Sequence, residues 1–253
     1  GGLEYKTNVM RGKDIKQIID DFCEKSHEYG MVPDASTVGW HFHYSLSDRQ
    51  NGHIRNIVQA CADFSSAIQT TEGYNYFRNM IRGYARSFQS DYSDAVKKWD
   101  GKRSFGNYIR TSSGYPQRGT FANFSRMFQT GANSIGNQQR RVEIRMYAPR
   151  AFLYDTNIQP KGSNGWSMED LANDYYNFIQ FWDEFIRKSA VKRLILSHDN
   201  GELMNLDTFS QQFSPKVRNW LKSRENASVM PHPRLGGLRN EITYSPYAGE
   251  TTN

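Results

Sequence analysis

Two histidines separated by one residue are the clearest candidates for chemistry in this chain. They are His41 and His43, within residues 39–46, which read GWHFHYSL. Alternate side chains of an extended strand share a face, so we expect both imidazoles to project together, roughly 6–7 Å apart. Two neutral imidazoles at that spacing can reach one divalent metal ion, or a metal ion and a phosphate beside it. By itself, such a pair more often belongs to a strand whose two half-exposed histidines have no chemical role. The other candidate residues decide between this interpretation and a metal or phosphate site.

A carboxylate and a guanidinium alternate in a second predicted strand. Residues 140–147 carry aliphatic side chains on one face, and Glu143 and Arg145 lie on the other. Such a pair on a sheet is most often a structural ion pair. The alternative is a carboxylate that holds a metal ion beside an arginine that neutralises a phosphate or a developing negative charge.

Together these segments resemble the glutamine-synthetase-like carboxylate–amine ligases, and within them the putative amidoligases, the phage and bacterial branch. The resemblance is carried by Gly-x-His-x-His-x-Ser-Leu at 39–46, Val-Glu-x-Arg at 142–145 and Gly-x-x-Glu at 1–4, and it covers roughly residues 1–190. In that superfamily the histidine strand and the Glu-x-Arg strand line a funnel for ATP and metal ions. The resemblance implies an α+β fold, with an antiparallel glutamine-synthetase-like catalytic sheet and helices packed on its outer face.

The resemblance also implies roles for single residues. Glu4, His41 and Glu143 would be metal ligands, a set that suits Mg²⁺ or Mn²⁺ bridging ATP oxygens. Glu143 and Arg145 would be the catalytic pair, with Arg145 stabilising the transferring phosphoryl group.

A second set of residues would bind the nucleotide. By the same resemblance, His43 and Ser45 would face the phosphates of ATP. The arginine-containing loop of the family has a candidate in residues 118–126, which Arg118 and Arg126 delimit.

The implied reaction is the formation of an amide or peptide bond. ATP phosphorylates a carboxylate to an acyl phosphate, which an amine attacks, and the protein contributes mainly positioning and charge neutralisation. The implied partners are small-molecule or peptide carboxylates and amines. The first strand of the family, with a Glu-x-Glu metal pair, is absent from the sequence. We therefore expect one of three explanations. The sequence is a piece that lacks this strand, another segment supplies the metal ligands, or the metal site is degenerate.

The composition is typical of a protein that binds an anionic ligand and does not enter a membrane. The net charge is +6 and the pI about 9.2, and the scattered basic residues suit nucleotide phosphates or carboxylates better than nucleic acid. No apolar run approaches the roughly 18 residues of a membrane span, and the N-terminus has no signal-peptide pattern. Cys23 and Cys61, predicted as buried free thiols, favour a cytoplasmic or intravirion protein.

Apolar residues at helical spacing predict the elements that position these strands. A helix is expected after Ser167, which forms an approximate capping box with Asp170. Further helices are expected over Asp14 to Tyr29, Ile54 to Ile68, Tyr74 to Phe88 and about Asp207 to Arg224. The predicted organisation is a catalytic domain over residues 1–190, a helical extension over 191–225 and a loosely ordered tail over 226–253.

Two other interpretations stay open. A rolling-circle nuclease also uses His-x-His on a strand to bind a metal ion, with a tyrosine nucleophile for which Tyr84 and Tyr92 are candidates. The basic pI and the aromatic residues fit single-stranded DNA. The Tyr-x-x-Lys spacing of these nucleases is missing, and the Glu-x-Arg strand has no role in a nuclease, so the ligase is favoured.

The third interpretation is a non-catalytic ligase-like module with a structural or interaction role, for example in a virus particle.

Overall fold

The structure of the protein is a computed structural model that describes eight segments of the chain. They are residues 14–29, 39–47, 49–81, 85–88, 120–124, 140–159, 166–191 and 194–230, with single positions at 12, 94 and 98. The Gly-x-x-Glu motif at residues 1–4 lies outside these residues.

Helices and short strands alternate along the described segments, which confirms the predicted mixture of helix and strand. Among the described residues, no helix is both long and apolar enough to cross a membrane. In chain order the elements are α1 (Asp14–Glu28), β1 (Trp40–Ser45), α2 (Asn51–Thr70), α3 (Asn75–Met80), β2 (Ala122–Asn123), β3 (Arg141–Tyr147), α4 (Arg150–Leu153), α5 (Met168–Ala190), α6 (Leu206–Ser210) and α7 (Pro215–Glu225).

The three strands form a small antiparallel sheet with β3 in its centre. The strand order is β1–β3–β2, and β3 pairs with both neighbours. In this register Glu143 lies opposite His43 of β1 and opposite Asn123 of β2. Because partners across antiparallel strands share a face, these three side chains lie on the same side of the sheet.

Helix α5 covers the other side of the sheet. The rings of Phe42 on β1 and Tyr147 on β3 both contact the ring of Phe178, at centroid distances of 6.3 and 5.0 Å. Val142 and Ile144 are fully buried. Since α1 and α2 also pack against α5, the apolar side of the sheet lies inside the core, and the polar side chains of the described strands lie on its opposite side.

Helix α5 begins with hydrogen bonds between Ser167 and Asp170, the two residues of the predicted capping box. The hydroxyl oxygen of Ser167 accepts a hydrogen bond from the Asp170 amide at 3.0 Å, and the Asp170 carboxylate accepts one from the Ser167 amide at 2.9 Å. This reciprocal pair confirms the predicted capping box and satisfies two amide groups that a helix start leaves without partners.

A buried carboxylate on α5 joins this helix to three other elements. Asp174 Oδ2 accepts hydrogen bonds from the hydroxyls of Tyr76 on α3, at 2.5 Å, and Tyr147 on β3, at 2.7 Å. Its Oδ1 accepts from Trp220 Nε1 at 2.9 Å and from Arg224 Nε and Nη2 at 3.0 and 2.7 Å, both on α7. The charge of Asp174 is therefore fully compensated inside the core, and α3, β3 and α7 have fixed positions around α5.

The two tyrosines of this cluster remain hydrogen-bond donors at neutral pH. Burial and the nearby charge of Asp174 raise the pKa of Tyr76 and of Tyr147 well above the usual value for tyrosine. Burial alone would lower the pKa of Arg224, but the charge of Asp174 raises it. Arg224 therefore keeps its positive charge beside Asp174.

The helix predicted from Asp207 to Arg224 is wrong as a single element. The structure has two helices there, α6 and α7, separated by a turn. Pro215 is the cause, because proline has no N–H to donate to a preceding turn and its fixed φ suits the first position of a new helix.

The helix predicted from Tyr74 to Phe88 ends much earlier, at Met80. The described residues after it, 85–88, bind to other parts of the chain instead of continuing the helix. The Arg86 carbonyl accepts from the Phe121 amide at 2.9 Å, next to β2, and the Phe88 amide donates to Ser65 Oγ at 2.8 Å. Long-range contacts override the local helical pattern here.

The first residues of the predicted tail are part of the folded structure. Asn79 on α3 donates to the Ser228 carbonyl at 2.9 Å and accepts from the Met230 amide at 3.0 Å. The buried carboxylate of Asp155 accepts from the Ser228 amide at 2.8 Å. Residues 228 and 230 therefore bind to α3 and to Asp155, and residues 231–253 lie outside the described part of the chain.

Replacing Asp174 with asparagine should destabilise the protein strongly. The change removes the charge that compensates Arg224 in a buried site, and losing one partner of such a pair costs roughly 3–5 kcal/mol. We expect a loss of that size in the free energy of unfolding, measured by urea denaturation. Asp207→Asn is the matched control, because the pair between Asp207 and Lys222 is exposed to solvent and should contribute less than about 1 kcal/mol. Equal losses in the two variants would contradict the role of Asp174.

The two cysteines should be unreactive while the protein is folded. Both are free and buried, as predicted, and burial raises the pKa of Cys23 to about 12 and that of Cys61 further. The thiolate, which is the reactive form, is therefore almost absent at pH 8. Ellman's reagent at that pH should detect no thiol in the native protein and two in guanidinium chloride. Rapid reaction of the native protein would show that one site opens to solvent.

Candidate active site

The side of the sheet that α5 does not cover carries polar side chains, and we call it the open face. Its residues on β1 are exposed, and those on β3 are half-buried. The open face consists of His41, His43, Ser45, Asn123, Arg141, Glu143 and Arg145.

Glu143 is the central residue of the open face. Its Oε2 accepts a hydrogen bond from Asn123 Nδ2 at 2.9 Å. Its Oε1 lies 3.3 Å from Arg145 Nε and 3.6 Å from His41 Nδ1. The Glu143 side chain is only 19% exposed, so these contacts are stronger than they would be in bulk water. Partners on both oxygens thus orient the carboxylate.

His41 contacts this carboxylate although His43 is the strand partner of Glu143. The register of β1 against β3 shifts at the first residues of β1, which places His41 diagonally within reach. Gly39 leaves room for this arrangement, because a Cβ atom there would lie 3.1 Å from His41 Nε2. The absence of a side chain at Gly39 therefore leaves space for the imidazole ring of His41.

Arg141 adds a second guanidinium group to the open face. It lies opposite Ser45 in the β1–β3 pairing, so the hydroxyl and the guanidinium group share this face. Among the described residues of the open face there are two arginines and one carboxylate, Glu143, which is an excess of positive charge. A surface with this balance is suited to an anionic ligand.

His41 and Glu143 could contribute to a metal site but could not complete one. Their atoms Nδ1 and Oε1 are 3.6 Å apart, close enough to bind the same ion from adjacent positions. Within the described segments, no group of three or more His, Cys, Asp or Glu residues could hold a metal ion. Imidazole and carboxylate fit an Mg²⁺ or Mn²⁺ ion that takes its other ligands from phosphate and water.

The structure places five of the predicted site residues on the open face, and the roles predicted for them stay predictions. Three other predicted site residues, Glu4, Arg118 and Arg126, lie outside the described residues, and so do the tyrosines that the nuclease interpretation requires. The five residues are His41, His43, Ser45, Glu143 and Arg145.

Sequence reasoning missed two residues of the open face. Arg141 could have been found, because it continues the alternation of Glu143 and Arg145 along β3. Asn123 has no such signal, because β2 contains only two residues and its hydrogen bond crosses 20 positions of the chain.

Comparisons with known proteins do not identify a family for this chain. No protein-family model, no curated protein and no solved structure matches it. Any function assigned to the open face therefore depends on the chemistry of its own residues.

Asn123 and Glu143 should be energetically coupled. A hydrogen bond to a charged group that is mostly buried is worth roughly 1.5–3 kcal/mol. A double-mutant cycle of Asn123→Ala and Glu143→Ala, measured by urea denaturation, should give a coupling energy of about 1–3 kcal/mol. The control cycle pairs Asn123→Ala with Ser45→Ala, two residues on opposite outer strands, and should give a value near zero. Indistinguishable values in the two cycles would show that Asn123 does not hold the carboxylate.

Proposed function

We propose that this protein is an ATP-dependent carboxylate–amine ligase that forms an amide bond through an acyl phosphate. The position of Glu143 is the observation that supports this most directly. Asn123 orients its carboxylate, and His41 and Arg145 flank it on the open face. Phosphoryl transfer requires charge neutralisation by an arginine and a metal ion, and a carboxylate with an imidazole beside it can help to hold such an ion.

We also propose that the sheet is the catalytic sheet of a glutamine-synthetase-like fold. Its strands are antiparallel, α5 covers one side, and the polar residues gather on the other. The motif residues His41 and Glu143, which are about 100 positions apart in the chain, contact each other across two neighbouring strands. The open face would then be one wall of the substrate funnel.

The residues of the open face account for the first step of this reaction. An oxygen of the substrate carboxylate attacks the γ-phosphorus of ATP, the bond to the β–γ bridging oxygen breaks, and ADP leaves. Arg145 stabilises the negative charge on the transferring phosphoryl group. His43, Arg141 and the Ser45 hydroxyl offer donors to the remaining phosphates.

The second step needs little from the protein beyond position. The amine attacks the acyl carbon, and the bond between that carbon and the phosphate oxygen breaks, which releases inorganic phosphate. Mg²⁺ or Mn²⁺ would supply additional neutralisation of phosphate charge when bound. His41 and Glu143 would hold the ion, with Glu4 as the third ligand that the family resemblance implies.

Glu143→Gln should abolish the ligase reaction while keeping the size of the side chain. We expect the full chain with ATP, Mg²⁺, candidate carboxylates and hydroxylamine to form a hydroxamate and ADP, because hydroxylamine traps acyl phosphates. Loss of the Glu143 charge should lower kcat roughly 100-fold or more, by analogy with removal of a single transition-state contact. Coloured iron–hydroxamate complexes and coupled detection of ADP measure the two products.

Glu72→Gln is the matched control, since Glu72 is exposed in the turn between α2 and α3, far from the sheet in the chain. This variant should keep full activity. ATP binding to the wild-type chain is measured separately by calorimetry in the presence of Mg²⁺. Failure of the wild-type chain to bind ATP would overturn the proposed function, whatever carboxylates are tested.

A further inference from the structure

Arg150 is a buried arginine that the proposed function does not use. It is the first residue of α4 and follows the end of β3 by three positions. Only 7% of its surface is exposed, and it lies in an unbroken run of buried residues from 146 to 153. Arginine cannot lose its proton under ordinary conditions, so a full positive charge is located here.

The guanidinium group of Arg150 has no partner among the residues that the structure describes. It takes part in no hydrogen bond, ion pair or ring contact there, and its Nε atom is completely buried. Burial lowers the pKa of Arg150, and no neighbouring acid opposes this effect. The Nε atom is therefore desolvated without a hydrogen-bond partner in the described part of the chain.

In contrast, the charge of Arg224, another buried arginine of this protein, is compensated by Asp174. It is also 7% exposed. Its guanidinium group donates to Asp174 and to the Ile158 carbonyl, and it lies over the ring of Phe152, at 5.3 Å from the centroid. One of two equally buried arginines is thus fully bound, and the other lacks an anion.

We propose that Arg150 binds an oxyanion of a ligand, either a phosphoryl or a carboxylate group. The planar guanidinium fork matches both groups, and both carry the charge that the site lacks. A residue that costs stability in the free protein and gains its partner only on binding is typical of a ligand site. This inference is independent of the proposed ligase activity.

The chain places this site near one end of the open face. Tyr147, the last residue of β3, pairs with Trp40 at the start of β1, next to His41. Three residues of chain span at most about 11 Å, so Arg150 lies within that distance of Tyr147. α4 packs against α3 and α5, so the site lies beside these helices at the end of the central strand.

Thermal unfolding of the full chain at constant ionic strength tests this site. The salts are chloride, inorganic phosphate and succinate, and the variants are Arg150→Met and Arg187→Met. Arg187 is an exposed arginine on α5 that pairs with Asp183 and serves as the control for loss of one charge. Phosphate stabilises most proteins slightly, so the quantity of interest is the difference between variants.

The wild-type chain and Arg187→Met should show a saturable rise in Tm with phosphate or succinate, of about 5–10 °C at an anion concentration about 100 times its Kd. Arg150→Met should lose this rise. In chloride, Arg150→Met should unfold at the same temperature as the wild type or higher, because the variant removes an uncompensated buried charge. A response to one salt alone identifies the ligand group as phosphoryl or carboxylate.

Three results would overturn the proposal. The first is a rise in Tm that persists in Arg150→Met, which would place anion binding elsewhere. The second is the absence of any such rise in the wild type. The third is a marked loss of stability of Arg150→Met in chloride, which would show that Arg150 has a structural partner. None of these measurements uses ATP, so their outcome neither supports nor contradicts the ligase proposal.

Discussion

Compensation of the Asp174 charge is the interaction on which the described structure depends. A carboxylate inside a core is tolerated only when donors satisfy both of its oxygens, and here they come from α3, β3 and α7. Hydrogen bonds have narrow limits of distance and direction, so four elements can meet around Asp174 in few ways. Apolar packing makes the core stable, and this polar cluster makes its arrangement specific.

The packing of α5 determines which side of the sheet can act on a ligand. Val142 and Ile144 of β3 are fully buried on the side of the sheet that faces this helix, and Tyr147 at the end of β3 donates to Asp174 on α5. The side chains that alternate with Val142 and Ile144 project to the opposite side. Glu143 and Arg145 are polar residues on a half-buried strand, where their opposite charges are in contact and Asn123 donates a hydrogen bond to Glu143.

Three arginines of this protein differ in which group compensates their positive charge. Arg224 is bound inside the core, and Arg145 is in contact with Glu143 at the open face. Arg150 is as buried as Arg224 but lacks a described partner. The two residues have the same exposed fraction, and they differ in whether the fold supplies an anion. The fold supplies it for Arg224, and we infer that a ligand supplies it for Arg150.

Local patterns in the sequence were sufficient for the helices α1, α2 and α5, for strand β3 and for the set of motif residues on one face. Each of these depends on periodicity over a few neighbouring residues, which the sequence records directly. The capping box of α5 is equally local. By contrast, periodicity failed between Tyr74 and Phe88, where Arg86 and Phe88 form hydrogen bonds with Phe121, next to β2, and with Ser65.

The tertiary structure alone decided which side chains meet. The partners of Asp174 are 27 to 98 positions away in the chain, and Asn123 reaches Glu143 from a strand of two residues. A register shift, invisible in the sequence, brought His41 rather than His43 to the carboxylate. Local spacing determines the face on which a side chain lies, but its partner depends on how distant segments pack, because that is where burial and hydrogen bonding are satisfied together.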